Sequence, residues 1–233
     1  MVSALDALIL CGGLGTRLRP LIADRPKGLA EIRGQPFLDL LIGRLLRRGL
    51  RRFLLCAGYG GAQIAGHYAR RDDAEFMVSL EAKPLGTAGA IRHALRQVRS
   101  DPFLVLNGDS YCDVDYAELL RFHERKRAAL SIVVVPPGSR QDVGTIALAG
   151  DQAVTAFSEK QAGAHGYVNA GIYLMQRAVI EVLPADRAAS LEREVFPQTA
   201  ARGGCYGFPV AGPLVDIGTP ERYLAAQELL RDA

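Results

Sequence analysis

The 233-residue sequence is short of several things, and each shortage removes a class of protein. It has four cysteines, Cys11, Cys56, Cys112 and Cys205, far apart in the chain and forming no CxxC pair. That pattern argues against a disulfide framework or a zinc site and fits a reducing cytoplasm. The four histidines (His67, His93, His123, His165) have no paired metal-binding spacing and read as surface or helix-face residues. No segment reaches the ~18 apolar residues of a membrane-crossing helix. The N-terminus lacks the basic and apolar regions of a secretory leader. The net charge of +3 is spread out, so neither nucleic acid nor a membrane surface is an expected partner. The densest charge run, "RFHERKR" at 121–127, mixes signs and reads as a solvated helix face.

Two common phosphate-binding loops are also missing. GxxxxGK[ST] occurs nowhere, and Gly13-x-Gly15 is followed by Thr16, Arg17 and Leu18, so a dinucleotide fingerprint lacks its third glycine. "GYGGAQ" at 58–63 fails in the same way and reads as a plain loop entering a helix. Lysine is scarce as well: Lys27, Lys83, Lys126 and Lys160 stand against 24 arginines, so each retained lysine needs a reason.

What the chain does have is a rhythm. "ALDALIL" (4–10), "RFLLCAG" (52–58), "EFMVSLE" (75–81) and "PFLVLNGDS" (102–110) read as buried strands. Helical patterns over 36–49, "AQIAGHYARR" and 86–98 alternate with them, which implies a parallel sheet covered by helices. After about residue 128 the strands "ALSIVVVP", "GTIALAG", "AVTAFSE" and "YVNAGIYLM" follow with little room for helices, so antiparallel or mixed pairing is expected. Helices near 176–183, through "LEREVFPQTAARG" and in "TPERYLAAQELL", with strands "CYGFPV" and "PLVDIG", complete the chain. No linker is long or polar enough to divide it. The expectation is a single α/β domain: a Rossmann-like, mixed, mainly parallel sheet flanked by helices. A nucleotide-type half would span about 1–115 and a more insert-rich second half about 116–233.

Parallel sheets bind ligands where strand ends feed helix N-termini, and the polar motifs sit at such places. "GGLGTRLRP" follows the first strand, "KPLGTAGA" the 75–81 strand and "NGDS" the 102–107 strand. A glycine turn lets backbone amides approach a polyphosphate, and Arg17 and Lys27 supply a planar fork and a point charge for its oxygens. Asp109 at the end of a strand suits a metal, although a strand-end aspartate is also a common turn former. "CDVDY" offers a DxD metal pattern, but Asp115 with Glu118 reads better as a helix cap. Lys83 and Lys126 read as solvated.

"LCGGLGTRLRP…RPKG" resembles the signature of the sugar-1-phosphate nucleotidylyltransferases. "PLGTAGA" (84–90), "VLNGDS" (105–110), "FSEK" (157–160), "VNAGIY" (168–173) and "DIGTP" (216–220) match that family in the same order across the chain. The resemblance implies the nucleotidyltransferase, GT-A-like fold and transfer of a nucleotidyl group from an NTP to a sugar 1-phosphate, with Mg²⁺ as cofactor. It assigns catalytic roles to Arg17, Lys27, Asp109, Lys160 and Asp216, the two aspartates holding the metal. The nucleotide site would comprise Leu10, Gly12, Gly13, Gly15, Thr16, Arg17, Lys27, Pro84, Leu85, Gly86, Thr87 and Gly108. The sugar phosphate would meet Asn107, Gly144, Glu159, Lys160, Asn169 and Gly171. Two features depart from the signature: Cys11 stands where alanine is usual, as a small apolar substitute, and Gly28 follows the Pro-Lys pair.

The chain is expected to be a short, catalytic-domain-only member. "LGTRLR", "PLGTAGA", "SLEREVFP" (190–197) and "DIGTPERYLAAQ" look most like the enzymes that load D-glycero-D-manno-heptose 1-phosphate with GTP for capsule and surface-layer assembly. A uridylyltransferase on N-acetylmuramate 1-phosphate or a hexose 1-phosphate is the alternative. A non-catalytic nucleotide-sugar sensor would be expected to lose the charged residues that this chain keeps. A cytoplasmic setting is expected; short members of the family often pair as homodimers through exposed faces of the second half, and the sequence leaves the oligomeric state open.

Overall fold

The computed structural model describes residues 1–138, 144–158 and 166–230. Strand β1 (Asp6–Leu10) leads through the glycine loop and a single 3₁₀ turn at Lys27–Leu29 to a small hairpin, β2 (Glu31–Ile32) and β3 (Gln35–Pro36). Helix α1 (Phe37–Arg47), β4 (Arg52–Ala57), α2 (Gly61–Tyr68), β5 (Glu75–Leu80), α3 (Gly86–Ala94) and β6 (Phe103–Asn107) then alternate. The second part runs β7 (Ser110–Tyr111), α4 (Tyr116–Lys126), β8 (Leu130–Val135), β9 (Thr145–Leu148), β10 (Val154–Ser158) and β11 (Tyr167–Met175). It closes with α5 (Arg177–Glu181), a π-helical turn at Leu191–Val195, α6 (Phe196–Ala201), β12 (Cys205–Pro209), β13 (Val215–Asp216) and α7 (Pro220–Leu229).

Among the described residues, nine strands form the main sheet. Strands β5, β4, β1 and β6 lie side by side and parallel. Their near-continuous apolar runs follow from burial on both faces: Ala7, Leu8 and Ile9 of β1 and Phe103 to Leu106 of β6 are fully enclosed. The change of rhythm after residue 128 is real, because β11 runs antiparallel to β6, β8 and β9. β11 serves two neighbours along one edge: Ile172 to Met175 pair with β6, and Tyr167 and Val168 pair with β9. Between them Gly171 adopts φ +74, and a Cβ there would lie 2.7 Å from Asn107 Nδ2 and 2.8 Å from Ser110 Oγ. Only glycine fits such a left-handed, crowded position without strain.

One core cluster joins β1, β4 and β6 to α1, α4, β8 and β11, so the two parts of the chain share a hydrophobic interior and form one domain. Local signals set the helix ends. The α1 stripe Phe37, Leu38, Leu41, Ile42 and Leu45 is buried, and Gly49 turns the chain at φ +94. Asp115 caps α4 by accepting from the N–H groups of Ala117 and Glu118, and Asp113 pairs with Arg48 at 2.8 Å. Both acids of the DxD pattern are thereby accounted for.

One reading is corrected here. His123 is not a surface residue: it faces the core at 2% exposure, with Nδ1 2.8 Å from Ser131 Oγ. The sequence shows no sign of the β2–β3 hairpin; the strand read in "PLVDIG" is β13, but its pairing with the two-residue β7 is not visible there.

Candidate active site

A cleft of about 580 Å³ opens along the carboxyl ends of β5, β4, β1 and β6. Its walls are the loops that follow those strands, so the sheet order sets the order of groups along it. Glu81 to Thr87 stand at the β5 end and Asn107 to Asp109 at the β6 end. Three strand spacings, about 14 Å, separate the two.

The glycine loop after β1 lies across the middle. Gly12 packs against the β4 loop so closely that a Cβ would fall 2.6 Å from Gly58 N, while Tyr59 N donates to Gly12 O at 3.2 Å. "GYGGAQ" is therefore not a plain loop: Gly58 and Tyr59 line the cleft, and Gly60 at φ +68 starts α2. At Gly15, φ +59, an added Cβ would lie 3.2 Å from Lys27 Cβ, so the loop rests on the lysine stem. Lys27 Nζ donates to Asp109 Oδ2, pairing the two across 82 residues of sequence.

Asp216 reaches the same end through the small ladder. It pairs with Ser110, the residue after Asp109, and Ile217 N donates to Asp109 O at 3.0 Å. Asp216 Oδ1 also accepts from Gly218 N at 3.0 Å and lies 3.4 Å from Arg222 Nη1. Arg17 is exposed and points its guanidinium at the same glycine, 3.6 Å from where a Gly218 Cβ would be. Two carboxylates, Asp109 and Asp216, and three cations, Lys27, Arg17 and Arg222, thus meet beside one cleft mouth.

Of the expected nucleotide residues, Leu10, Gly12, Gly13, Lys27, Pro84, Gly86, Thr87 and Gly108 line the cleft. Gly15, Thr16 and Arg17 lie beyond its lining, and Leu85 is buried beneath the loop, its N–H donating to Glu81 Oε2 at 3.0 Å. Thr87 is engaged with the chain itself: its hydroxyl donates to Glu192 at 3.1 Å and accepts from Leu191 N at 2.8 Å. Gly86, at φ +70, lies against the Ala189 carbonyl, which accepts from Ala88 N. The segment 187–192 therefore clamps the start of α3.

On the expected sugar side, Asn107 lines the cleft floor. Asn169 Nδ2 donates to the buried Tyr173 hydroxyl at 2.9 Å, and its Oδ1 accepts from Gly171 N at 2.9 Å. Tyr173 also shares a hydrogen bond with Asn107, and burial pushes its phenol pKa up. Gly171 makes room for Asn107 and Ser110 instead of leaving its backbone open, and Gly144 lies 3.0 Å from the Ser158 carbonyl, counted from a Cβ position. Glu159 and Lys160 lie outside the described residues.

Several lining residues had no motif to announce them. Glu81, Tyr59 and Cys56 sit at strand ends, which is the signal that could have found them. Lys83, read as merely solvated, is exposed but lines the same cleft. Gly28 takes its place in the wall, with Leu38 3.6 Å from a Cβ position, so the departure from the signature leaves the loop intact. Cys11 donates its Sγ–H to Cys56 O at 3.3 Å, and burial pushes its thiol up to about 12. It is a protonated apolar filler.

The strand-end cleft, the glycine loop with its paired Lys27 and the neighbouring aspartates define a nucleotide-handling α/β enzyme class. The chain belongs to the nucleotidyl transferase family, whose model matches residues 6–233. It is 31% identical to a D-glycero-alpha-D-manno-heptose 1-phosphate guanylyltransferase from Aneurinibacillus thermoaerophilus, covering 97% of this chain and 99% of that protein. It is 36% identical to a mannose-1-phosphate guanylyltransferase from Mycobacterium tuberculosis, over 94% of this chain but 62% of that longer relative. In structure it resembles HddC from Yersinia pseudotuberculosis, solved with GMP-PN, at a TM-score of 0.86 and 31% identity, covering 97% of this chain and 100% of that one. The expected family and the nucleotidyltransferase fold are borne out. No helix among the described residues is long and apolar enough to cross a membrane.

Proposed function

We propose that the chain transfers a guanylyl group from GTP to D-glycero-alpha-D-manno-heptose 1-phosphate, giving the GDP-sugar and pyrophosphate. The observation that carries the guanylyl reading is Glu81. One of its oxygens accepts from the Leu85 N–H, and the residue lines the cleft at the end remote from Lys27 and Asp109, where the base of a nucleotide held by those residues would lie. Guanine alone among the common bases presents two adjacent donors, N1–H and N2–H₂, to such an acceptor. Adenine and cytosine set one amino donor beside a ring nitrogen acceptor, and uracil sets a single N3–H between two carbonyls, so each brings an acceptor that a carboxylate repels next to its one donor site. The heptose reading rests on the guanylyltransferase from A. thermoaerophilus, which this chain covers almost end to end. Mannose 1-phosphate is the second reading, favoured by the 36% identity to the mycobacterial relative.

In the reaction an oxygen of the sugar phosphate attacks the α-phosphorus in line, a new P–O bond forms, and the bond to the β-phosphate oxygen breaks. No protein nucleophile is required. Catalysis consists of holding two mutually repelling anions in line and neutralising the developing charge. Gly12 and Gly13 give the nucleotide backbone-close approach, and Arg17 and Lys27 take the phosphates, with Arg17 on the departing pyrophosphate. Lys160 would grip the sugar phosphate, and Glu159 and Asn169 the sugar hydroxyls.

Asp109 and Asp216 are the residues that would hold Mg²⁺. The donor set fits: two hard carboxylate donors on segments tied together by the Ser110–Asp216 ladder pair and by the Ile217 N–H to Asp109 O bond at 3.0 Å. Mg²⁺ commonly uses one or two carboxylates plus substrate phosphates. When bound, the ion would supply charge neutralisation on the phosphate oxygens. Cytoplasmic action as a homodimer in surface-polysaccharide assembly belongs to the same proposal. A matrix of five NTPs against heptose, mannose and glucose 1-phosphates, read as pyrophosphate release, tests the reading. Highest kcat/KM for any triphosphate other than GTP would overturn it.

A further inference from the structure

The wall that carries Glu81 also carries Lys83, a lysine with no counterpart need in the scaffold. It is exposed, lines the cleft, and no hydrogen bond or ion pair engages it among the described residues. Arginine fills most basic positions of this chain, so Lys83 is one of only four lysines. It follows β5, at the end of the cleft away from the Lys27–Asp109 pair at β6. A triphosphate held by Lys27 and Arg17 would place its base, not its phosphates, beside Lys83.

We propose that Lys83 is a specificity-determining residue that reads the N7 and O6 acceptors of guanine. This rests on the guanylyl reading above and deepens it. Guanine carries adjacent donors on one edge and adjacent acceptors, O6 and N7, on the next. A carboxylate and an ammonium two residues apart on one wall complement that pair of edges. Adenine reverses one member of the acceptor pair, offering an N6 amino group where guanine offers O6, and an ammonium repels it. Lysine or arginine to O6 and N7 is the commonest specific contact to guanine in nucleic acids, and the same edge chemistry applies to a free nucleotide. Lysine suits this exposed position because its flexible stem can follow the base and its three rotatable donors span both acceptors.

The test compares GTP, 7-deaza-GTP (lacking N7) and ITP (lacking the 2-amino group) in the full chain and in Lys83→Met, which keeps the stem and removes the charge. The wild type is expected to favour GTP over 7-deaza-GTP by roughly tenfold in kcat/KM. In Lys83→Met that ratio should fall to about one, the GTP-over-ITP ratio should hold, and the loss should lie in KM with kcat nearly unchanged. An unchanged GTP-over-7-deaza-GTP ratio overturns the proposal. So does a loss shared equally by every triphosphate and by inorganic triphosphate as competitor, which would put Lys83 on the phosphates. A wild type that does not favour GTP overturns the guanylyl reading itself, and Lys83 with it.

Discussion

Gly12 and Gly13 are indistinguishable in the sequence, yet the structure predicts opposite results for replacing them with alanine. At Gly12 the new methyl would lie 2.6 Å from Gly58 N and 3.3 Å from the Ala57 carbonyl carbon and Gly58 Cα, all backbone atoms that no side-chain rotation can clear. The loops after β1 and β4 must separate, and the Tyr59 N–H to Gly12 O bond at 3.2 Å is lost or stretched. Overpacking of this kind costs about 1–3 kcal/mol. At about 2–4 °C per kcal/mol for a domain of this size, Gly12→Ala should lower Tm by roughly 2–12 °C. Because the displaced loop carries the phosphate site, kcat/KM for GTP should fall by about a hundredfold, the scale expected for a 1 Å misplacement. At Gly13 nothing lies within 4 Å of the added methyl and the backbone is not left-handed. Gly13→Ala should therefore keep Tm within about 2 °C of wild type or raise it slightly, through lower unfolded-state entropy. Thermal unfolding and steady-state pyrophosphate release on both variants make the comparison. Equal Tm values for the two variants would refute the close-approach reasoning.

Three further outcomes follow from the same geometry. Asp109→Asn and Asp216→Asn should each lower kcat by about a hundredfold or more with circular dichroism unchanged, and near-normal turnover in either would remove it from the metal site. Glu81→Gln should keep an acceptor for Leu85 N–H but set an amide against guanine N1–H. With hydrogen bonds to charged groups worth about 1.5–3 kcal/mol, kcat/KM for GTP should fall roughly 10–150-fold, and the preference over ITP should shrink. Burial lowers the His123 pKa from 6.5 to about 4, so between those values the unfolded chain binds the extra proton. Stability is then full above pH 6.5 and falls as pH drops toward 4, by about 3 kcal/mol at most. Urea unfolding of His123→Asn across that window should show a flatter profile than wild type, and parallel profiles would place the acid loss elsewhere.

The legible parts of this protein were those written locally. Continuous apolar runs identified the parallel strands, the 3.6-residue stripe identified α1, and Asp115 with Glu118 marked the start of α4. The glycine loop and the ordered motifs were enough to indicate the family, because phosphate binding needs backbone amides and cations close together in sequence. The strand in "PLVDIG" was legible as β13, but its two-residue pairing with β7 was not, since a pairing that short has no periodicity. Glu81 and Tyr59 carry only their strand-end position as a signal, and Lys83 opens the "KPLGTAGA" motif, but sequence spacing does not say which loop side chains face the cleft and which face solvent. The sequence by itself determined which residue types could hold a triphosphate. Their arrangement was decided only by the tertiary structure: strand order set the base end against the phosphate end, and long-range pairing brought Asp216 beside Asp109. The reason is physical. Short-range spacing fixes backbone conformation and local charge, whereas the order of strands in a sheet depends on burial shared across the whole chain.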